Sequence, residues 1–244
     1  MTAWHETPYF AQRFARKYQR FVSDADWQQH RERYAELFGR YAAYTLIPER
    51  IFCDNLALID ERLRQLDGAI VECGTWKGGM AAAMMQLGGP ARAYHFYDSF
   101  AGLPPAQTSD GEDALAWQAA TDDPHYHDNL KADADAFRAL VAEVGFPAGQ
   151  VQVHEGWFSD TVPRYDGPPI AVLRLDGDWY ESTMTCLEAL YPQVQLDGVV
   201  ILDDYDTWDG CSRAVHDYLS RTQSTARIRR TGSSSVAFIH KLDA

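Results

Sequence analysis

The chain has 244 residues, is 46% hydrophobic and carries a formal net charge of -13 at pH 7. That length suits one α/β domain with decoration, and that apolar content supports one sizeable core and excludes a disordered chain. The acidic balance argues against nucleic-acid phosphates and anionic membranes as partners, because neither attracts an acidic surface.

The opening stretch MTAWHETPYFAQRFARKYQRF lacks the apolar core of a signal peptide, and no run approaches the roughly 18 apolar residues of a membrane span. Cys53, Cys73, Cys186 and Cys211 are scattered without CxxC spacing. This predicts reduced thiols in a cytoplasmic protein, and neither a disulfide frame nor a zinc site. DADWQQHRERYAELFGRYAAY and, after Pro48, IPERIFCDNLALIDERLRQL place apolar residues at helical spacing. Residues 1–65 are therefore expected to form a helical extension that serves as lid, oligomer contact or core cover, with a homo-oligomer as the expected assembly. Residues 66–244 are expected to form the main domain.

In that second part GAIVECG reads as a buried strand, MAAAMMQLG as a helix and ARAYHFYDSF as a strand ending at Asp98. The polar stretch 101–130 is a loop or short-helix insertion, long enough to suggest function. KADADAFRALVAEVG is expected to be helical, VQVHEG a third strand, PPIAVLRLDGD a fourth, ESTMTCLEALYPQV helical, GVVILDDY a fifth strand and SRAVHDYLSRT helical. ARIRRTG and SVAFIHKL close the chain as an antiparallel pair. Alternating strands and helices imply crossover units. The expected α/β fold is a Rossmann-like, seven-stranded, mostly parallel sheet with one antiparallel strand, the layout of class I methyltransferases. Pattern alone does not separate it from other doubly wound folds.

In open α/β sheets ligands bind beyond the carboxyl ends of the strands. After the first strand comes Glu72-Cys73-Gly74-Thr75-Trp76-Lys77-Gly78-Gly79. Its glycine spacing is not GxGxxG, so it suits a cofactor with an amino-acid end better than a dinucleotide pyrophosphate. Asp98 ends the second strand, where an acid can accept both ribose hydroxyls of NAD or of S-adenosylmethionine. Gly156, Trp157 and Phe158, after the third strand, form a wall on which an adenine could stack. The fourth and fifth strands end in Leu175-Asp176-Gly177-Asp178 and Leu202-Asp203-Asp204-Tyr205. Asp176, Asp203 and Asp204 could ligate one hard cation such as Mg²⁺, relieving their mutual repulsion, with Asp178 as the group that takes a proton. A metal that binds a substrate hydroxyl lowers its pKa and orients it.

Several segments together resemble the macrocin O-methyltransferase (TylF/MycF-like) family: VECGTWKGGMAAAM, YDSFAGLP, EGWFSDTVP, LRLDGDWYESTMTCLEALYP and GVVILDDYDTWDGCSRAVHDYL. DSFAGLP and LDGDWYEST are the more specific of these, and the resemblance covers about residues 45–240. It implies Mg²⁺-dependent transfer of a methyl group from S-adenosylmethionine to a sugar hydroxyl of a glycosylated natural product. It further implies metal ligation by Asp176, Asp203 and Asp204 and a general base at Asp178. Cofactor contacts are implied at Glu72, Gly74, Asp98 and Ser99, with Trp157 and Phe158 near the adenine. Thr75, Trp76, Gly78, Gly156 and Asp176 complete the expected cofactor site. Cys73 and Thr75 differ mildly from the small or apolar residues expected in that turn. The N-terminal helices and the 104–130 loop, which shape the acceptor pocket in this family, match less well.

The alternatives are a catechol-like or other small hydroxyl acceptor, a nicotinamide-dependent oxidoreductase, and a non-catalytic module that senses the cofactor. His125 and His127 are read as solvated loop residues. Trp4, Tyr9, Phe10, Phe14, Tyr18 and Phe21 are read as core or subunit contacts, Arg229-Arg230 as an exposed strand end, and Ser233–Ser235 as a turn.

Overall fold

The computed structural model describes residues 24–147, 149–231 and 236–242. The N-terminal aromatics from Trp4 to Phe21 and the Ser233–Ser235 turn lie outside the described residues. Eight α-helices and seven strands are described: α1 (Asp24–Tyr41), α2 (Glu49–Leu63), β1 (Ala69–Cys73), α3 (Gly79–Gly88), β2 (Tyr94–Asp98), α4 (Glu112–Ala119), α5 (Ala134–Glu143), β3 (Val151–Glu155), α6 (Phe158–Thr161), β4 (Ile170–Leu175), α7 (Tyr180–Leu190), β5 (Val194–Leu202), α8 (Asp209–Arg221), β6 (Ile228–Arg230) and β7 (Ala237–His240).

The strands form one sheet in the order β3-β2-β1-β4-β5-β7-β6. All neighbouring pairs are parallel except those made by β7, which runs against both β5 and β6. The chain order thus reverses at β1 and β4. The crevice beyond their carboxyl ends is where a doubly wound sheet binds its ligand.

β1 and β4 are buried along their whole length, which is why they read as apolar runs without alternation. Their side chains divide by parity between two core layers. Ile70 and Val172 face α1, α2, α3 and α5, whereas Val71 and Leu173 face α7 and α8. α1 and α2 contribute Tyr34, Phe52, Leu56 and Ile59 to the first layer, so the extension shares a continuous core with the sheet. Asp133 caps α5 by accepting from the Asp135 and Ala136 amides. All four cysteines are buried and free of disulfides. Among the described residues no helix is long and apolar enough to cross a membrane.

β5 begins four residues before the expected Gly198, and α7 stops at Leu190, short of the expected Val194. Pro192 lies in a 3-10 turn, Tyr191–Gln193, because it has no amide to continue the helix. The early part of β5 carries a bulge: Ile170 pairs with Val194 but Val172 pairs with Val199. Asp197 adopts φ 65° there. Such an irregularity breaks the alternation that marks a strand.

Candidate active site

The turn after β1 is wedged between its two neighbouring strands. Gly74 donates its amide to the Tyr97 carbonyl at 2.8 Å, and Asp176 donates to the Cys73 carbonyl at 2.9 Å. Gly74 sits at φ +85°, and a Cβ there would lie 1.7 Å from the Asp176 carbonyl oxygen; only glycine lets the strands close so tightly. Asp98 braces the same turn. Its Oδ2 accepts from the amides of Thr75 at 2.7 Å and Trp76 at 2.8 Å, and its Oδ1 from the Phe100 amide at 2.7 Å. Ser99 Oγ donates to the Gly102 carbonyl at 2.9 Å.

Beneath the acidic rim lies a cation that the sequence reading did not single out. Arg174, 1% exposed near the carboxyl end of β4, places Nη1 2.8 Å from Glu72 Oε1 and 2.8 Å from Asp176 Oδ2, and Nη2 2.6 Å from Asp203 Oδ1. The signal was available: an arginine inside Val172-Leu173-Arg174-Leu175, on a fully buried strand, requires acids within reach. Burial pushes the Glu72 carboxyl up to about 8 against the pull of Arg174. Glu72 Oε2 is buried without a hydrogen-bond partner.

The structure gathers the carboxylates of Asp176, Asp178 and Asp204, with one oxygen from each within 4.8 Å of the others. Asp203 stands beside them but turns Oδ1 to Arg174. Asp178 adopts φ 56°. Its amide donates to Asp204 Oδ2 at 2.9 Å, and its Oδ1 accepts from the Trp208 indole at 2.8 Å. Burial, and then the neighbouring acids, hold Asp178 up at about 8 and raise Asp204 as well. Burial also raises Asp176, to about 6, partly offset by Arg174. Crowded, desolvated carboxylates of this kind are a hard-oxygen donor set suited to a divalent cation, which would remove the repulsion.

These groups line a cavity of about 600 Å³. On its wall the structure brings together Glu72, Gly74, Thr75, Trp76, Asp98, Ser99, Trp157, Phe158, Asp176, Asp178, Asp203 and Asp204. Gly78 and Gly156 are not on the wall. Gly78, at φ +94°, precedes α3, and Gly156 donates its amide to the Asp98 carbonyl at 2.9 Å. His125 and His127 are exposed and stand at the cavity's edge. Arg230 is exposed and pairs with Asp206. The far side of the cavity is shared between the turn Tyr44–Pro48, ahead of α2, and the 101–130 segment, which contributes Gly102, Leu103, Pro104 and Trp117. Trp117, Trp179 and Trp208 pack edge to face, with centroids 5.2 to 6.2 Å apart. Sequence reasoning had no handle on this cluster, since its three rings come from distant segments.

A family model described as Macrocin-O-methyltransferase (TylF) matches residues 3–240. The 8-demethyl-8-(2,3-dimethoxy-alpha-L-rhamnosyl)-tetracenomycin-C 4'-O-methyltransferase of Streptomyces olivaceus is 36% identical over 193 residues, covering 78% of this chain and 70% of that protein. The mycinamicin III 3''-O-methyltransferase of Micromonospora griseorubida is 31% identical over 199 residues, covering 73% and 71%. Among solved structures, that of the O-methyltransferase NovP superposes with a TM-score of 0.66 at 27% identity, covering 82% of this chain and 83% of that one. The calicheamicin methyltransferase CalS11, at 21% identity and a TM-score of 0.63, shares the fold. The nicotinamide-dependent alternative is set aside by these matches. A class I methyltransferase sheet and a match along nearly the whole sequence make this chain a member of the macrocin O-methyltransferase (TylF) family, and an O-methyltransferase.

Proposed function

We propose that the protein moves the methyl group of S-adenosylmethionine to a sugar hydroxyl of a glycosylated natural product, with a divalent cation, Mg²⁺, at the acidic rim. The observation that carries this reading is the juxtaposition of the Asp176, Asp178 and Asp204 carboxylates with the glycine turn on one cavity wall. The rhamnosyl group in the name of the Streptomyces olivaceus relative favours a sugar hydroxyl.

S-adenosylmethionine supplies a methyl group on a positively charged sulfur. A bound Mg²⁺ supplies a Lewis acid that lowers the pKa of a coordinated hydroxyl. The remaining work falls to this chain's own side chains. Glu72, the Gly74–Trp76 turn and Asp98 hold the cofactor's amino-acid and ribose parts, with Trp157 and Phe158 beside its base. Asp176, Asp203 and Asp204 would hold the cation, with Asp203 Oδ1 paired to Arg174 in this structure. Asp178, fixed by Trp208, takes the acceptor's proton. The walls from 44–48 and 101–130 exclude water and orient the acceptor oxygen.

A second reading keeps the chemistry and changes the acceptor. The half-exposed rings of Trp117 and Trp208 would also suit a flat catechol, whose two oxygens could reach the same cation. The test is calorimetric binding of S-adenosylhomocysteine with and without Mg²⁺, followed by turnover of a panel of rhamnosides, other glycosides and catechols. Micromolar binding, turnover of glycosides, loss with EDTA and recovery with Mg²⁺ are expected. Full turnover in EDTA would remove the cation, and exclusive turnover of catechols would replace the sugar acceptor.

A further inference from the structure

We propose that Trp208 is a positioning residue for the Asp178 carboxylate, and that Trp117 makes this placement depend on how the 101–130 segment is docked. The proposal rests on the reading of Asp178 as the proton acceptor.

Asp178 is constrained from three sides. Its backbone has a positive φ of 56°, a conformation that a β-carbon-bearing residue keeps only where its surroundings impose it. Its amide is tied to Asp204 Oδ2. Its side chain is held only at Oδ1 among the hydrogen bonds of the described residues, by the Trp208 indole N–H at 2.8 Å. An indole N–H is a single donor with a fixed direction. It therefore sets the rotation of the carboxylate rather than merely neutralising it.

Trp208 is itself fixed at one end and dependent at the other. Its backbone amide donates to the Asp204 carbonyl at 3.0 Å, just ahead of α8. Its ring stands edge-on to Trp179 at 5.2 Å and to Trp117 at 5.9 Å. Trp179 belongs to the buried floor, whereas Trp117 rides on α4 in the segment that walls the cavity.

That segment is pinned to the floor at separate points. Trp179 Nε1 donates to the Pro104 carbonyl at 2.9 Å, the Tyr180 amide to the buried Asp110 at 2.7 Å, and Arg213 to the Ser109 carbonyl at 2.8 Å. When the segment is seated, Trp117 closes one side of the slot in which the Trp208 ring sits. When it is not, that side is open and the indole is free to swing from Asp178. Seating the acceptor-facing wall and aiming the proton acceptor thus become one event, linked by two indoles.

The test uses the whole protein loaded with S-adenosylhomocysteine and Mg²⁺, read by proton–nitrogen NMR of its indole groups. Trp208→Phe assigns the Trp208 signal, and unchanged signals from Trp76 and Trp157, which lie outside the three-ring cluster, verify the fold. In Asp178→Ala the Trp208 N–H is expected to move upfield and exchange faster with water; in Trp117→Phe it is expected to move the same way by less. A Trp208 signal indifferent to Asp178→Ala overturns the positioning role, and one indifferent to Trp117→Phe overturns the link to the segment. Turnover is then compared on the panel acceptor that the native enzyme methylates fastest. Trp208→Phe should lower kcat on the order of tenfold or more, by a larger factor than it changes the acceptor KM, with S-adenosylhomocysteine affinity unchanged. Native kcat in Trp208→Phe beside an inactive Asp178→Asn would sink this proposal and spare the proton-acceptor reading. Native kcat in Asp178→Asn would sink that reading itself.

Discussion

Arg174 Nη2 and Asp203 Oδ1 lie 2.6 Å apart beneath the acidic rim, joining the floor of the sheet to one of the expected cation ligands. The same guanidinium reaches Glu72, on the expected cofactor side. One buried positive charge therefore underlies both halves of the site.

Removing that charge leaves buried acids uncompensated. Arg174→Met is expected to lower stability by about 3–5 kcal/mol, the usual consequence of breaking a buried ion pair from one side. Urea unfolding followed by circular dichroism measures it. A loss under about 1 kcal/mol would mean that the acids manage without their counter-ion.

Gly74 makes a second, steric demand. Its positive φ and the 1.7 Å approach to the Asp176 carbonyl leave no room for a methyl group. Gly74→Ala should cost at least about 2 kcal/mol and weaken S-adenosylhomocysteine binding, because the β1 turn and the β4 end must separate. Calorimetry and thermal unfolding on the same sample check both effects, and native values in either would refute the wedge.

Asp98 holds three backbone amides, so its replacement loosens the turn even before any cofactor contact is lost. Asp98→Ala is expected to cost about 1–3 kcal/mol of stability and to weaken S-adenosylhomocysteine on the order of tenfold or more. Asp98→Asn, which keeps one acceptor oxygen, should fall between. Calorimetric titration of both variants decides the point, and unaltered affinity in Asp98→Ala would take the residue out of the cofactor site.

His95 gives the fold a pH dependence away from the site. It is fully buried, stacked 5.4 Å from the His154 ring and edge-on to Tyr165 at 4.9 Å. Burial, and then repulsion from His154, lower it from 6.5 to about 4. Between those values the unfolded chain binds a proton that the folded chain refuses. The contribution is thus complete above pH 6.5 and lost as pH falls toward 4. The raised carboxyls act with the opposite sign in an overlapping range, so the informative quantity is the difference between native protein and His95→Phe. From pH 7 down to pH 4 the native protein should lose on the order of 2–3 kcal/mol more than the variant. Parallel unfolding midpoints across that range would show that His95 takes up protons freely in the fold.

The alternation of strand and helix was legible because β1 and β4 are apolar runs bounded by glycine and acid, and because Asp98, Asp176 and Asp203 fall at strand ends. The start of β5 was not, since the bulge at Asp197 interrupts its period. Asp178, Asp176 and Asp204 could be nominated from two short motifs, but not the way Asp203 turns toward Arg174, which depends on side-chain rotation. Trp117, Trp179 and Trp208 were invisible as a group. Each reads alone as one more aromatic, and only the docking of the 101–130 segment brings the first against the others.

The turn Tyr44–Pro48 joins two helices whose inner faces are core, yet Tyr44 and Leu46 are 39% and 47% exposed and border the cavity. A Cβ on Gly79, at the start of α3, would meet Thr45 and Tyr44 at 2.9 Å, so this rim rests directly on α3. Ile47 packs onto the core layer, but the exposed Tyr44 and Leu46 side chains can be exchanged without disturbing it. If the cavity takes the acceptor as proposed, these two positions form an evolvable margin, where acceptor preference would drift while the reaction floor stays constant.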